Sequence, residues 1–185
     1  RKQDAVFLLA AVVVFAVLQF LMAERIVSSF WRLNISLICL NVMLASSLNL
    51  INGVTGQFSL GHAGFMAVGA YVSAVCTVFL HLPFIVSLIG GAAAAGLLGF
   101  LVGVPTLRLQ GDYLAIATLG MGEIIRICIL NIQQVGGASG MSGIPRDTTF
   151  PWLFICMIVT LFVLKNIVHS KQGRACLAVR ENAIA

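Results

Sequence analysis

The sequence predicts an all-α membrane protein: a polytopic transmembrane helix bundle of about six spans, with a glycine-broken helix and a short cytoplasmic helix at its end. Two observations carry this reading. Of the 185 residues 60% are hydrophobic and only 9% charged, against roughly 45–50% apolar and about 25% charged in soluble domains. So few charges cannot coat a soluble surface, and lipid must be the main solvent. The apolar residues also fall into runs of about 20, the length needed to cross a bilayer.

The spans read, in order, Ala5–Ala23, Leu33–Ile51, Phe58–Leu80, Phe84–Val104, Tyr113–Ile132 and Trp152–Val168. The breaks between them hold Gly, Pro, Asn or charge, as connections should. Ala5–Ala23 follows Arg1 and Lys2 as a signal peptide would, but it is about span length and lacks a clear small-residue cleavage site, so it is read as a span. Phe58–Leu80 either spans or re-enters.

Orientation follows from the basic residues. With six spans both ends share a side, and that side receives Arg1, Lys2, Arg108, Lys165, Lys171, Arg174 and Arg180. The other side receives Arg25, Arg32 and Arg146, while Arg126 lies within a span. The positive-inside rule then puts both ends in the cytoplasm. The net charge of +5 bears on topology and lipid contact rather than on nucleic acid.

In the fourth span Gly91, Ala95, Gly99 and Gly103 recur every four residues, a smooth ridge for close helix approach. In the second span Asn34, Asn41, Ala45, Asn49 and Asn52 fall near one face. Asparagines facing lipid would be unsatisfied, so this face is expected to point into the bundle, as interhelical glue or as part of a polar path. The cysteines Cys39, Cys76, Cys128, Cys156 and Cys176 show no metal-ligand spacing and read as packing thiols.

Three segments carry most of the functional information. Asn52 to Gly64, NGVTGQFSLGHAG, has glycines at 53, 56, 61 and 64. That density weakens a helix and lets backbone approach backbone or ligand. Broken helices in transporters aim half-helix N-termini at anionic substrate groups. Free N–H groups around Ser59, Gly61 and His62 are therefore candidates to receive a carboxylate, with a tight, closely packed turn as the alternative. Glu123 and Arg126 are three apart, share a helix face and can pair. Each would cost about 2.5–3.5 kcal/mol at a span centre, so both are expected to face the bundle or a wet cavity. A buried structural ion pair and a functional pair both remain open. From His169 the tail is basic and amphipathic, suited to a lipid surface or a soluble partner.

At these segments the chain resembles a known family. GQFSLGHAGFMAVGAYVSA (Gly56–Ala74), RLQGDYLAIATLGMGEIIR (Arg108–Arg126), GGASGMSGIP (Gly136–Pro145) and GRACLAVRENAIA (Gly173–Ala185) look like the LivM-type permease subunit of branched-chain amino acid ABC importers, in order from about Leu37 onward. The resemblance implies a homologous second permease, two cytoplasmic ATPase subunits and a periplasmic solute-binding protein as partners, and no covalent chemistry by the permease. It implies that 169–185 opens the loop that couples to the ATPases, through Gly173, Arg174, Arg180, Glu181, Asn182 and Ala183. It implies that Gly137, Gly140, Gly143 and Pro145 lie toward the binding protein. The substrate-path candidates are Ser59, Gly61, His62, Gly64, Glu123, Arg126 and Asn49. Residues 1–185 then form a single permease domain, C-terminally incomplete because family members continue beyond the coupling loop. The implied place is the bacterial cytoplasmic (inner) membrane, and the cargo Leu, Ile or Val, with urea or short amides as the alternative.

Readings from other classes are weaker. Gly137-Ala138-Ser139-Gly140 matches the GxSG pattern of rhomboid intramembrane proteases, but Ser139 sits in a glycine-rich loop and the later His169 falls at the opposite membrane end. A passive channel is a further alternative. No GxxxxGK[ST] is present, so ATP would belong to a partner. No His/Cys/Asp cluster points to a metal, and no cofactor is expected.

Overall fold

The computed structural model describes residues 12–21, 28–106, 109, 111–145 and 148–181. Every described element is helical: α1 (Val12–Leu21), α2 (Ser29–Asn49) running into a π-helical turn (Leu50–Val54), α3 (His62–Val78), α4 (Phe84–Thr106), α5 (Asp112–Asn131), α6 (Phe150–His169) and α7 (Lys171–Glu181), with two 3-10 turns between α5 and α6. Among the described residues four helices are long and apolar enough to cross a membrane: α2 with its π turn, α4, α5 and α6. The helix α3 has 17 residues, at the short end of the spanning range. It starts at His62 rather than Phe58, because 56–61 belong to no helix.

The chain forms two compact units, Arg1–Leu50 with Thr148–Ala185, and Ile51–Asp147. In the first, α6 packs on α2 and joins α7. Phe15 of α1 sits between Phe150 and Phe154 of α6, with ring centroids 6.2 and 5.2 Å apart. Pro151 opens α6 in its first turn, where a missing N–H costs nothing.

In the second unit α3 is the middle helix, touching α4 along one side and α5 along another. Small residues set both contacts. A methyl group added at Gly91 would lie 2.5 Å from the Gly69 carbonyl oxygen and 3.0 Å from Ser73 Cβ. On the other side a methyl at Gly64 would lie 2.9 Å from Gly122 Cα. Where lipid tails are as apolar as leucine, such close backbone packing is what holds helices together. The glycine ridge of α4 is used only in part: Gly91 and Ala95 meet α3, whereas Gly99 and Gly103 have nothing within 4 Å.

The outside of the chain is apolar. Phe30, Trp31, Phe100, Tyr113 and Ile116 are all well exposed, as lipid-facing residues should be. The asparagine face of α2 departs from expectation. Asn41, Ala45 and Asn49 are exposed, and Asn34 instead donates to the Phe30 carbonyl at 2.9 Å. That bond to the preceding turn satisfies Asn34 without a second helix.

Candidate functional site

The break before α3 is built from its own glycines and from two borrowed oxygens. The π turn ends at Val54, and two residues on Gly56 has a φ of 69°, the left-handed conformation that glycine favours after a helix. Gln57 N–H then reaches back to the Ile51 carbonyl at 3.3 Å, and Thr55 Oγ1 donates to that same carbonyl at 2.6 Å. Beyond this point, up to Gly61, the chain is not helical. Ser59 N–H donates to Asn52 Oδ1 at 3.1 Å, and Leu60 N–H donates to Thr118 Oγ1 of α5 at 3.1 Å.

Of the donors around Ser59 to His62, those of Ser59 and Leu60 are engaged within the chain. The reason is physical: a backbone N–H outside a helix has no ladder partner, and here Asn52 and Thr118 supply the acceptors. Gly61 and Gly64 are both buried, and they serve the contact with α5. A methyl on Gly61 would land on the Thr118 carbonyl, and Gly122 faces Gly61 Cα in turn. His62 is half-buried as the first residue of α3.

Glu123 and Arg126 pair as the spacing predicts, Nε to Oε1 at 3.0 Å. They do not point inward. The contact stripe of α5 is Thr118, Gly122 and Ile125, and the pair lies about a third of a turn round from it at 3.6 residues per turn. Both side chains are more than half exposed, at 53% and 66%. In hydrocarbon such an exposed pair is costly, so this face of α5 calls for water or a polar neighbour.

The loop after α5 is an ordered glycine turn. Gly136, Gly137, Gly140 and Gly143 all have positive φ. Gly137 N–H donates to Ile132 O at 3.2 Å and Ser139 N–H to Gly136 O at 3.0 Å. A side chain on Gly136 would collide with the Gly140 carbonyl. Gly137 is buried, while Gly143 and Pro145 are exposed. Ser139 is exposed within the second 3-10 turn, and among the described residues its hydroxyl makes no hydrogen bond.

At the other end α6 turns sharply into α7. Ser170 is the hinge: its Oγ donates to Ile167 O at 2.6 Å and accepts from Gly173 N–H at 3.1 Å, while its carbonyl accepts Arg174 N–H at 3.1 Å. This is an N-cap serine. Gly173 is buried in the elbow, and a methyl there would strike the Ile167 and Val168 carbonyls. Arg174 is exposed. Arg180 and Glu181 lie on the last turn of α7, and Asn182 and Ala183 fall outside the described residues.

Residues 32–185 match the family model described as the branched-chain amino acid transport system / permease component. The chain belongs to this family. It is 32% identical over 209 aligned residues to the high-affinity branched-chain amino acid transport system permease protein LivM of Salmonella typhimurium. It is 33% identical to the protein of the same name from Escherichia coli. Each alignment covers 90% of this chain and 49% of the relative, so the chain spans about half the length of these curated relatives. A probable branched-chain amino acid transport permease protein LivM of Methanocaldococcus jannaschii is 36% identical over 104 residues, 48% of this chain and 30% of the relative. No solved structure matches.

On this family member the break with α3, the helix α5, the glycine turn and α7 are the four segments whose motifs suggested the resemblance. Two residues at these places escape a reading of motifs. Thr118 is buried and its hydroxyl makes two hydrogen bonds, accepting from Leu60 N–H and donating to Ala115 O at 3.0 Å; its signal was the small-xxx-small spacing with Gly122. Ser170 shows the helix-start signal of a serine before the first turn.

Proposed function

We propose that this chain is the membrane-spanning permease part of an ATP-driven ABC importer that carries branched-chain amino acids across the bacterial cytoplasmic membrane. The observation that carries the proposal is the family match over residues 32–185, and helices long and apolar enough to span support it. The names of the relatives supply the cargo class. In this reading the permease makes and breaks no covalent bond; two cytoplasmic ATPases hydrolyse ATP, a homologous second permease completes the pathway, and a periplasmic solute-binding protein delivers the cargo. Both ends of this stretch face the cytoplasm, on the balance of basic residues.

Within that frame α7, with Gly173, Arg174, Arg180, Glu181, Asn182 and Ala183, begins the surface that meets the ATPase. The tight Ser170–Gly173 elbow suits a lever, because a push on α7 reaches α6 without slack. Gly137, Gly140, Gly143 and Pro145 form the outward face near the binding protein, where the positive φ of the three glycines makes tight turns. Ser59, Gly61, His62, Gly64 and the Glu123–Arg126 pair flank the path; Asn49, on α2, is a separate candidate. The exposed pair marks the side of α5 that needs a wet or polar neighbour. Exchanging the two charges, Glu123→Arg with Arg126→Glu, tests this: assembly restored without uptake supports a role in the path, and full recovery of uptake reduces the pair to a structural bridge.

Reconstitution tests the function. Liposomes holding the permease pair and ATPases, with the binding protein outside, should take up leucine, isoleucine or valine only when ATP is supplied. Uptake that persists without the ATPases would make the protein a channel. Uptake of urea in place of these amino acids would reassign the cargo.

A further inference from the structure

We propose that Thr118 is a positioning residue for the substrate path: its hydroxyl latches the non-helical break before α3 onto α5, so that the break holds its shape only while α5 keeps its place. This rests on the transport reading above.

The inference starts from the hydrogen-bond needs of residues 57–61. Their N–H groups lie between two helices and have no ladder of their own. Gln57 and Ser59 are served from nearby in sequence, by Ile51 O and Asn52 Oδ1. Leu60 is served from 58 positions away, by Thr118 Oγ1. It is therefore the donor in this stretch whose partner belongs to another helix. Thr118 is only 7% exposed, and its single hydroxyl proton is committed to Ala115 O. A hydroxyl has one proton to donate and two lone pairs to accept with. With the proton directed down the helix, the rotamer is fixed and a lone pair is left for Leu60.

The surrounding backbone leaves little slack. Gly61 rests on the Thr118 carbonyl, and Gly64 rests on Gly122, one turn further along the same stripe. A shift or rotation of α5 that lengthens the Leu60–Thr118 bond takes away the acceptor that α5 supplies to the Leu60 N–H, and a backbone donor outside any helix has no ladder partner to fall back on. Movement of α5 and rearrangement of the break are thereby linked, and the break carries Ser59 and His62. By contrast, the α3–α4 contact is made by Gly69, Ser73, Gly91 and Ala95 through van der Waals approach, and it gives no comparable switch.

The test uses the assembled transporter in nanodiscs, with hydrogen–deuterium exchange of the peptide spanning 55–61 and uptake measured per ATP hydrolysed. Thr118→Val keeps the shape and removes the acceptor; Thr118→Ser keeps the acceptor. Thr118→Val should speed exchange in 55–61 by about five-fold or more, the size expected for loss of one hydrogen bond. Peptides of α4 should stay unchanged, and uptake per ATP should fall. Thr118→Ser should resemble the parent in both. Should Thr118→Val not assemble, Thr118→Ala is read by the same exchange. Unchanged exchange in 55–61, exchange raised equally throughout α3, α4 and α5, or an unchanged ratio of uptake to ATP would each overturn the latch. If the parent transporter carries no branched-chain amino acid, the transport reading fails, while the exchange contrast between Thr118→Val and Thr118→Ser still decides whether the latch exists.

Discussion

Two joints interrupt the helices, the elbow between α6 and α7 and the break between the π turn and α3, and they are held in different ways. Each uses glycine for close approach and a hydroxyl for an orphan N–H. At the elbow everything is local: Ser170 bonds Ile167 and Gly173, each three residues away. At the break the hydroxyl comes from Thr118, 58 residues from the N–H that it accepts. A joint held by its own neighbours moves as a rigid piece. A joint held by a distant helix changes when that helix moves. The first suits transmission of force, the second suits response to it.

The largest way to break the comparison is to fill the elbow. Gly173→Val sets a branched side chain against the Ile167 and Val168 carbonyls, which are backbone and cannot yield cheaply. Overpacking of this kind costs about 1–3 kcal/mol or more, and the turn should open. ATPase co-purification and uptake should both collapse, while thermal unfolding of α2 with α6 changes little. Next comes Gly64→Leu, which drives a side chain into Gly122. It should separate α3 from α5 and lower the melting temperature of the detergent-solubilised protein, with loss of uptake following. If Gly64→Leu melts like the parent, the α3–α5 contact is not what holds the break.

Ser170→Ala is a smaller effect. Loss of an N-cap costs about 1 kcal/mol, so α7 should fray at its start and the ATPase should bind several-fold more weakly. Ser170→Asp or Ser170→Asn should restore binding, since either side chain also caps. The smallest effect is expected at Gly99→Ala and Gly103→Ala, where nothing lies within 4 Å. Neither should lower the stability of this chain by itself. A loss of co-purified second permease in either variant would show that the free part of the ridge is covered in the assembled transporter.

Much of the candidate site was legible in the sequence, and the difference between the joints explains what was not. The elbow was half visible: Gly173 stood out as an entry residue, and Ser170 carries an ordinary helix-start signal. The break was visible as a density of glycines between 53 and 64. Its wiring was not, because Leu60 is paired by a threonine on another helix and no local pattern encodes that partner. The pairing of Glu123 with Arg126 followed from spacing alone. Its outward direction did not follow, because spacing says which residues share a face and not what the face meets. The asparagines of α2 failed for the same reason.

By itself the sequence determined that the protein is helical, that lipid is its solvent, where α2 to α6 begin and end to within a few residues, and which family it belongs to. These properties depend on local composition and on motif order. Only the tertiary structure decided that α3 lies between α4 and α5, that Gly61 and Gly64 serve packing, and that Thr118 holds the break. Those depend on which backbone groups come close enough to touch, and in a membrane an N–H left without a water partner takes whichever oxygen the packing brings to it.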